Sequence, residues 1–484
     1  MCDFKRVATI GLLATSLVAV ATEKLEKGYH NPIADYMFCA DPTCVEYEGR
    51  LYVYGTNDSQ QLELSAPGAE NTYEKIHSFQ VMSTEDMVNW TYHGIIDILE
   101  AAPKGLGISW APSIVSRKEQ DGQTHFYMFF SSSGSGVGEI TATSPLGPWH
   151  DPLDREFVNY KDPAIGDCPN PFDPGVMIDD NGVGWLAFGA GIAKDGNDYF
   201  TGSQRIVRLA DDMIHPASDY VEIKAPYHFE ANELNYIGGK FVYIYNTSWK
   251  DRTQWDLEGK DAPTRCAMSY MTSTDPLNTD SWQYQGLILR NPGDEGLEYS
   301  NNHTHLHKYK GEWYMFYHTL TLQKSLGVNG GYRSICVDKI KVDESTAKIR
   351  RCKMTREGVA QLQLLDVAKM QSAATSTATN NIVYEPTDVP GEMVVHATAA
   401  GQGFSVSGVH AGNKQRKLAV NVKGSGTIAL RRDNPDGAVL ATVKFHSDDW
   451  TVVDGKLTGP LADGDNLCFT FEDGDFLFKE WQIK

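Results

Sequence analysis

The chain is most informative first through what it lacks. No two of its eight cysteines have CxxC spacing, which argues against structural zinc. There is no GxGxxG opening a helix after a strand, no P-loop, no HExxH and no GxSxG. Dinucleotide, nucleoside triphosphate, zinc-peptidase and serine-hydrolase chemistry therefore have no sequence foothold. Beyond the first 21 residues, no apolar run reaches the ~18 residues of a membrane span. Helical periodicity is weak nearly everywhere. Positive charge is also scarce: 43 basic against 63 acidic residues give a formal charge of −20, which disfavours nucleic acid and anionic lipid as partners. Such a surface suits a neutral, polyhydroxylated ligand.

What is present is a repeated hairpin. A turn residue followed by alternating aromatic and aliphatic residues occurs as EGRLYVYGT, DGQTHFYMFF, NGVGWLAFG, GGKFVYIYN and KGEWYMFYH. The turn glycines are Gly49, Gly122, Gly182, Gly238 and Gly311. Glycine before such a run is a hairpin signal. Five copies predict one sheet unit repeated around an axis, an all-β five-bladed propeller. A second recurring string, Ser/Thr, turn, aliphatic residue and Trp, includes Trp90, Trp149 and Trp282 and reads as outer strands whose tryptophans pack between blades.

Lys5 and Arg6 followed by the apolar run Val7 to Ala21 predict a secretory signal over residues 1–21, hence a secreted protein. The propeller is expected over 28–365. From 366 to 484, short alternating runs between Gly, Asn and Asp turns predict a β-sandwich of seven or eight short strands. Ala373 to Asn381, rich in small polar residues, reads as an exposed loop or edge. Cys39 and Cys44 are close enough in sequence to bridge, and the pairing stays open.

Three acids precede hairpins by similar distances: Asp41 lies 8 residues before Gly49, Asp173 9 before Gly182, and Glu230 8 before Gly238. Equivalent positions in different blades converge on one end of the channel. Carboxylates forced together cannot all ionise, so one becomes an acid and another stays a base. A pair poised that way is the equipment for cleaving glycosidic bonds. Read singly, the Asp-Pro pairs at Asp41 and Asp173 are also common turn sequences.

The dispersed motifs carry a resemblance. ADP at Asp41, WAP at Trp110, FDPG and IDDNG at Asp173, FEA at Glu230 and NNH at His303, in that order over about Asn31 to Leu365, resemble glycoside hydrolase family 43. These are five-bladed propeller enzymes acting on arabinose- and xylose-containing polysaccharides. The resemblance implies that Asp41 is the general base, Glu230 the general acid and Asp173 the group that raises the acid's pKa and orients it. It implies inversion, with catalytic carboxyls in the ~6.5–9.5 Å class.

No cofactor is required by the resemblance, although a calcium or sodium ion near His303, held through water, belongs to its pattern. His303, His305 and His307 share a strand face at period two and could suggest zinc, without a fourth ligand in view. Trp110 is expected as an apolar wall under a sugar ring, with Phe38 or Phe229 adding another. Arg333 resembles the family's pocket arginine, and His228 and Asn302 are candidate rim residues.

Residues 366–484 resemble a family 6 carbohydrate-binding module, through GVHAG, GTIALRRDNPDGAVLATV, Trp450 and FLFKEWQIK. Few aromatics remain there for stacking, so sugar binding and a structural role both stay open. The expected activity is an exo-acting α-L-arabinofuranosidase on arabinoxylan or arabinan. The alternatives are a β-xylosidase, an endo-arabinanase, or a non-catalytic sugar-binding propeller.

Overall fold

In the computed structural model, which describes residues 24, 27–134, 136–191, 197–412 and 416–484, the repeated glycine turns each join two antiparallel strands. Gly49, Gly122, Gly182, Gly239 and Gly311 hold φ between 77° and 82°, a left-handed conformation that side chains resist. The fourth turn uses Gly238 and Gly239 together, both at positive φ. The proposed leader, residues 1–21, lies outside the described residues.

Five sheets follow in chain order. The first is β1 (Ala40–Tyr47), β2 (Arg50–Thr56), β3 (Ser78–Thr84) and β4 (Trp90–Asp97). The second is β5 (Ser109–Lys118), β6 (Thr124–Ser132), β7 (Gly136–Ala142) and β8 (Val158–Asn159). The third is β9 (Gly175–Ile178), β10 (Gly184–Phe188), β11 (Arg205–Arg208) and β12 (Val221–Glu222). The fourth is β13 (His228–Ile237), β14 (Lys240–Thr247), β15 (Met268–Ser273) and β16 (Gln283–Leu289). The fifth is β17 (Thr304–Tyr309), β18 (Glu312–Thr319) and β19 (Ser334–Ile340).

Apolar side chains from neighbouring blades share single clusters. Tyr54 and Phe79 of blade 1 pack with Phe126 and Phe130 of blade 2, and Trp149 closes that cluster edge-on against Tyr54 at 6.4 Å. Trp282 does the same between blades 3 and 4. Trp90 lies in the cluster joining blades 1 and 5. The ring closes through the segment before β1: Ile33 and Cys39 donate to the carbonyls of Ile335 and Arg333 at 2.9 Å each, alongside β19. The segment that leads into blade 1 therefore runs on the edge of blade 5.

The seven described cysteines are all buried and free, so Cys39 and Cys44 do not bridge. Among the described residues, no helix is long and apolar enough to cross a membrane.

After residue 365 the chain forms an eight-stranded, curled, sandwich-like sheet. Its centre is three long strands, Lys417–Arg432, Val439–Lys456 and Leu467–Ile483, rather than a series of short ones. Gly424 and Gly474, which read as turns, sit inside continuous strands at φ 110° and 104°, beside register shifts. Phe404, Phe469, Phe478 and Trp481 fill the interior.

The run from Ala373 to Asn381 is not an exposed loop. Ala373 and Ala374 are fully buried, and Thr375–Ser376 adds a fifth strand to blade 1 by pairing with Thr91 and Trp90. Small side chains are needed there because two sheets meet over them.

Candidate active site

The first strand of four blades carries the same irregularity. Asp41, Ala111, Asp173 and Ala231 hold φ of 50°, 47°, 44° and 59°. Register shifts surround Asp41, Ala111 and Ala231, while Asp173 lies just before β9. Bulges of this kind re-aim side chains. The main-chain N–H of each of these residues is caught by a neighbour: Asp41 by His318 Nδ1 at 3.2 Å, Ala111 by Thr56 Oγ1 at 2.8 Å, and Asp173 by Ser131 Oγ at 2.8 Å. The Ala231 N–H goes to Asp173 Oδ2 at 3.0 Å.

Aligned on these residues, Glu230 matches Trp110 and Phe172, the residues before the turned position, and not Asp41 and Asp173. The two kinds of position point into the same space. Asp41, Asp173, Glu230, Trp110 and Phe172, with Tyr73, Asn301, His303 and Arg333, line one cavity of about 220 Å3.

Asp41 is buried and held from both sides. Thr56 Oγ1 donates to Oδ2 at 2.8 Å, and Arg333 Nη1 donates to Oδ1 at 2.8 Å. Burial alone would raise its pKa, but chiefly the Arg333 guanidinium, with His318 and His303 beside the carboxyl, outweighs burial and holds it well below the usual range.

Asp173 receives Ser131 Oγ on Oδ1 at 3.0 Å as well as the Ala231 N–H. Burial first, and the charge of Asp41 second, push it up to about 7. Glu230 is raised well above the ordinary value by burial, then by the charges of Asp173 and Asp41. Of these two acids, Asp173 has two donors to stabilise its anion, so Glu230 is the one that keeps the proton. The cavity thus holds one fixed carboxylate and one acid that stays neutral.

His303 Nδ1 lies 3.7 Å from Asp41 and 3.9 Å from Asp173, but burial lowers its pKa to about 4, so the ring is neutral at pH 7. His305 and His307 follow it along the strand, their nearest nitrogens 3.3 Å apart, with His305 3.4 Å from Glu233. Among the described residues, no group of three or more His, Cys, Asp or Glu side chains is placed to hold a metal ion. His303, His305 and His307 therefore do not come together as such a group.

Trp110 donates its Nε1 to the Tyr73 carbonyl at 2.9 Å and stands 6.0 Å from Phe172, so two aromatic walls meet at an angle. Tyr73 comes from the connection between β2 and β3 and packs under Arg333, 4.8 Å from ring centre to guanidinium carbon.

Several candidate residues fall outside the lining. Phe38 packs on Tyr332 in a small separate cluster. His228 is fully buried and binds Asn232 Oδ1 at 3.0 Å, and Phe229 beside it is also absent from the wall. Asn302 turns inward to the Arg290 carbonyl, leaving Asn301 as the lining residue. In each case a strand-phase error of one residue, or packing behind the wall, removes the side chain from the cavity.

Sequence reading passed over Tyr73, Phe172, Asn301 and two supporting groups. Asn232 donates to the carbonyls of Phe172, Asp173 and Gly189 at 2.7–3.1 Å, locking the Asp173 turn. Asp58 holds Arg333. The FEAN string contained Asn232, but nothing local marks it as a clamp.

The sequence pattern of glycosyl hydrolases family 43 matches residues 29–346. An arabinoxylan arabinofuranohydrolase of Bacillus subtilis (strain 168) is 30% identical over 489 residues, covering 94% of this chain and 92% of its own length. The crystal structure of a Bacillus subtilis arabinoxylan arabinofuranohydrolase of this family, in complex with cellotetraose, superposes with a TM-score of 0.84 at 28% identity, covering 94% of this chain and 98% of its own. An α-L-arabinofuranosidase structure from Clostridium thermocellum is 32% identical with a TM-score of 0.51, covering 67% of this chain and 96% of its own.

Proposed function

This chain belongs to glycosyl hydrolase family 43, and on that premise we propose that it is a secreted, inverting, exo-acting α-L-arabinofuranosidase that removes arabinose side chains from arabinoxylan or arabinan. The observation that carries the reading is the pairing of opposite poise in one cavity. Asp41 is pinned as an anion by Arg333, while Glu230 is kept protonated by burial and by its acidic neighbours.

In the proposed reaction a water beside Asp41 loses its proton to that carboxylate as its oxygen attacks the anomeric carbon. Glu230 gives its proton to the departing glycosidic oxygen. Asp173 acts through Glu230, and its own turn is held by Asn232 and Ser131. Trp110 and Phe172 bury the C–H face of the sugar. His303 would order solvent beside Asp41, including solvent around any bound calcium or sodium ion. No cofactor enters the steps.

The cavity's 220 Å3 is below the roughly 300–1,000 Å3 of drug-sized clefts, which suits one pentose ring better than a length of chain and supports the exo mode. The relatives named for arabinofuranose release favour arabinose over xylose. We propose that residues 28–365 make up the catalytic unit and that 366–484 support it.

The test is parallel hydrolysis of aryl α-L-arabinofuranoside and aryl β-D-xyloside by the native protein and by Glu230→Gln. Arabinoside turnover should exceed xyloside turnover, and the variant should lose about 10²–10⁴-fold on arabinoxylan. Faster xyloside turnover would make the enzyme a β-xylosidase, and internal cuts in arabinan an endo-arabinanase. Sugar binding with no hydrolysis would leave a binding propeller.

A further inference from the structure

Among the described large apolar side chains of the propeller, Tyr299 is the most exposed, at 63%. Its exposure is built rather than incidental. A Cβ placed on Gly293 would fall 2.3–2.4 Å from three atoms of the Tyr299 ring, so the ring lies against that glycine and only glycine admits it. Its hydroxyl donates to Asp294 Oδ1 at 2.9 Å, which fixes the ring's direction. The loop beneath is fastened: Asn291 Nδ2 donates to the Ser300 and Cys266 carbonyls at 2.7 and 3.1 Å, and its Oδ1 accepts the Gly293 N–H at 3.0 Å. An aromatic ring is therefore held with one face packed and the other turned to solvent.

Its place relative to the cavity is set by the chain. Tyr299 is two residues from Asn301, which lines the cavity, and two residues span at most about 7 Å. The loop leans on blade 4, the blade of the proposed acid. Cys266 Sγ contacts the Ser300 carbonyl at 3.7 Å and receives Asn246 Nδ2 at 3.4 Å, and Asn246 is the cross-strand partner of Glu230. A second exposed aromatic, Trp249, follows three residues after Asn246 and is 41% exposed. A general acid protonates the leaving oxygen, so the part of the substrate that departs lies on its side.

We propose that Tyr299 is a stacking platform for a neutral sugar ring of the polymer backbone, the leaving group of the reaction. This rests on the glycosidase reading above. An exposed, pre-fixed aromatic face loses little conformational freedom on binding, and pyranose C–H faces bury apolar area on it. The neighbouring Asp294, Glu295 and Glu298 offer acceptors to hydroxyls and repel uronic-acid substituents, so the platform selects an uncharged backbone.

The experiment compares Tyr299→Ala and Tyr299→Phe in the full chain on two substrates, an arabinose-substituted xylo-oligosaccharide and aryl α-L-arabinofuranoside. The loss of kcat/KM in Tyr299→Ala should be at least 5-fold larger on the oligosaccharide than on the aryl glycoside. Tyr299→Phe, which keeps the ring, should restore most of the difference. Equal losses on both substrates, no loss on either, or a Phe variant as poor as Ala would overturn the platform. Failure of the native protein to cleave either substrate would instead remove the glycosidase reading, and the platform with it.

Discussion

Arg333 is shared between two buried carboxylates: Nη1 reaches Asp41 at 2.8 Å, while Nε and Nη2 reach Asp58 at 3.0 and 2.8 Å. Asp58 also accepts the Arg333 main-chain N–H at 3.0 Å, so the residue is gripped at both ends before it meets Asp41. A bidentate pair fixes direction as well as charge. Asp58 therefore aims the cation that keeps Asp41 ionised.

Asp58→Ala should free the guanidinium and lower kcat/KM by about 10–100-fold, equivalent to roughly 1.4–2.7 kcal/mol of barrier. It should also lower stability by about 3–5 kcal/mol, because one partner of a buried pair is removed. Asp58→Asn, which keeps an acceptor oxygen, should lose less of both. Kinetics alongside denaturant melts check this. Native kcat/KM in the Ala variant would remove Asp58 from its positioning role.

The pH profile of Asp173→Asn tests how Glu230 holds its proton. Burial is the larger cause and remains, but the like charge of Asp173 goes. Glu230 should then ionise at lower pH, so the alkaline limb of kcat/KM moves toward acid. The acid limb, set by Asp41, should stay where it is. A limb that moves to higher pH, or not at all, would contradict the coupling.

Glu233 gives a pH-dependent stability prediction away from the cavity. Burial pushes its pKa up to about 8, against 4.5 ordinarily, and its Oε2 has no hydrogen-bond partner. The folded chain holds a proton that the unfolded chain releases, so native stability falls as pH rises from about 4.5 to about 8. Glu233→Gln keeps the Oε1 acceptor for the Leu306 N–H and removes that dependence. Melting temperatures should show the variant gaining on the native protein as pH rises through this window, and levelling above it. A constant difference would show that Glu233 does not carry the proton.

Removing the chain after Leu365 should not leave a sound propeller. It strips the added strand from blade 1, along with the Tyr92 N–H bond to the Ala374 carbonyl. It also removes the partners of two buried groups: Asn89 Oδ1, which accepts from Thr377 and Ser407, and Asp35, which accepts from Thr379. Buried polar groups left unpaired cost about 1–3 kcal/mol each. Insoluble protein, or a melting point lower by 10 °C or more, is expected in expression and melting trials. A soluble truncation with unchanged melting would make the C-terminal sheet dispensable to the fold.

Blade number and the hairpins were legible because a two-residue glycine turn and an alternating strand are local patterns, as at Gly49 and Gly311. Convergence of Asp41, Asp173 and Glu230 on one cavity was readable from spacing, but their register was not. Counting to Gly238 put Glu230 in the phase of Asp41, whereas the left-handed residue of that blade is Ala231. Two glycines stand side by side there and no letter says which one carries the turn; counted from Gly239, Ala231 lies 8 residues back, as Asp41 does from Gly49.

The same one-residue ambiguity favoured Asn302 over Asn301. Tyr73 and Asp58 reach the site from the connection between β2 and β3, through contacts with Arg333 some 260–275 residues away, and no local pattern encodes such a meeting. Small residues at Ala373 to Asn381 looked like a loop because tight burial between sheets and exposure both select small side chains.

The most direct measurement is proton NMR of arabinoxylan during the first turnovers. An inverting site built on Asp41 and Glu230 should release arabinose first as the β-L-anomer, with no xylose and no shortened backbone, and Glu230→Gln should abolish that signal. Initial release of the α-anomer, or of xylose or backbone fragments in its place, would contradict it.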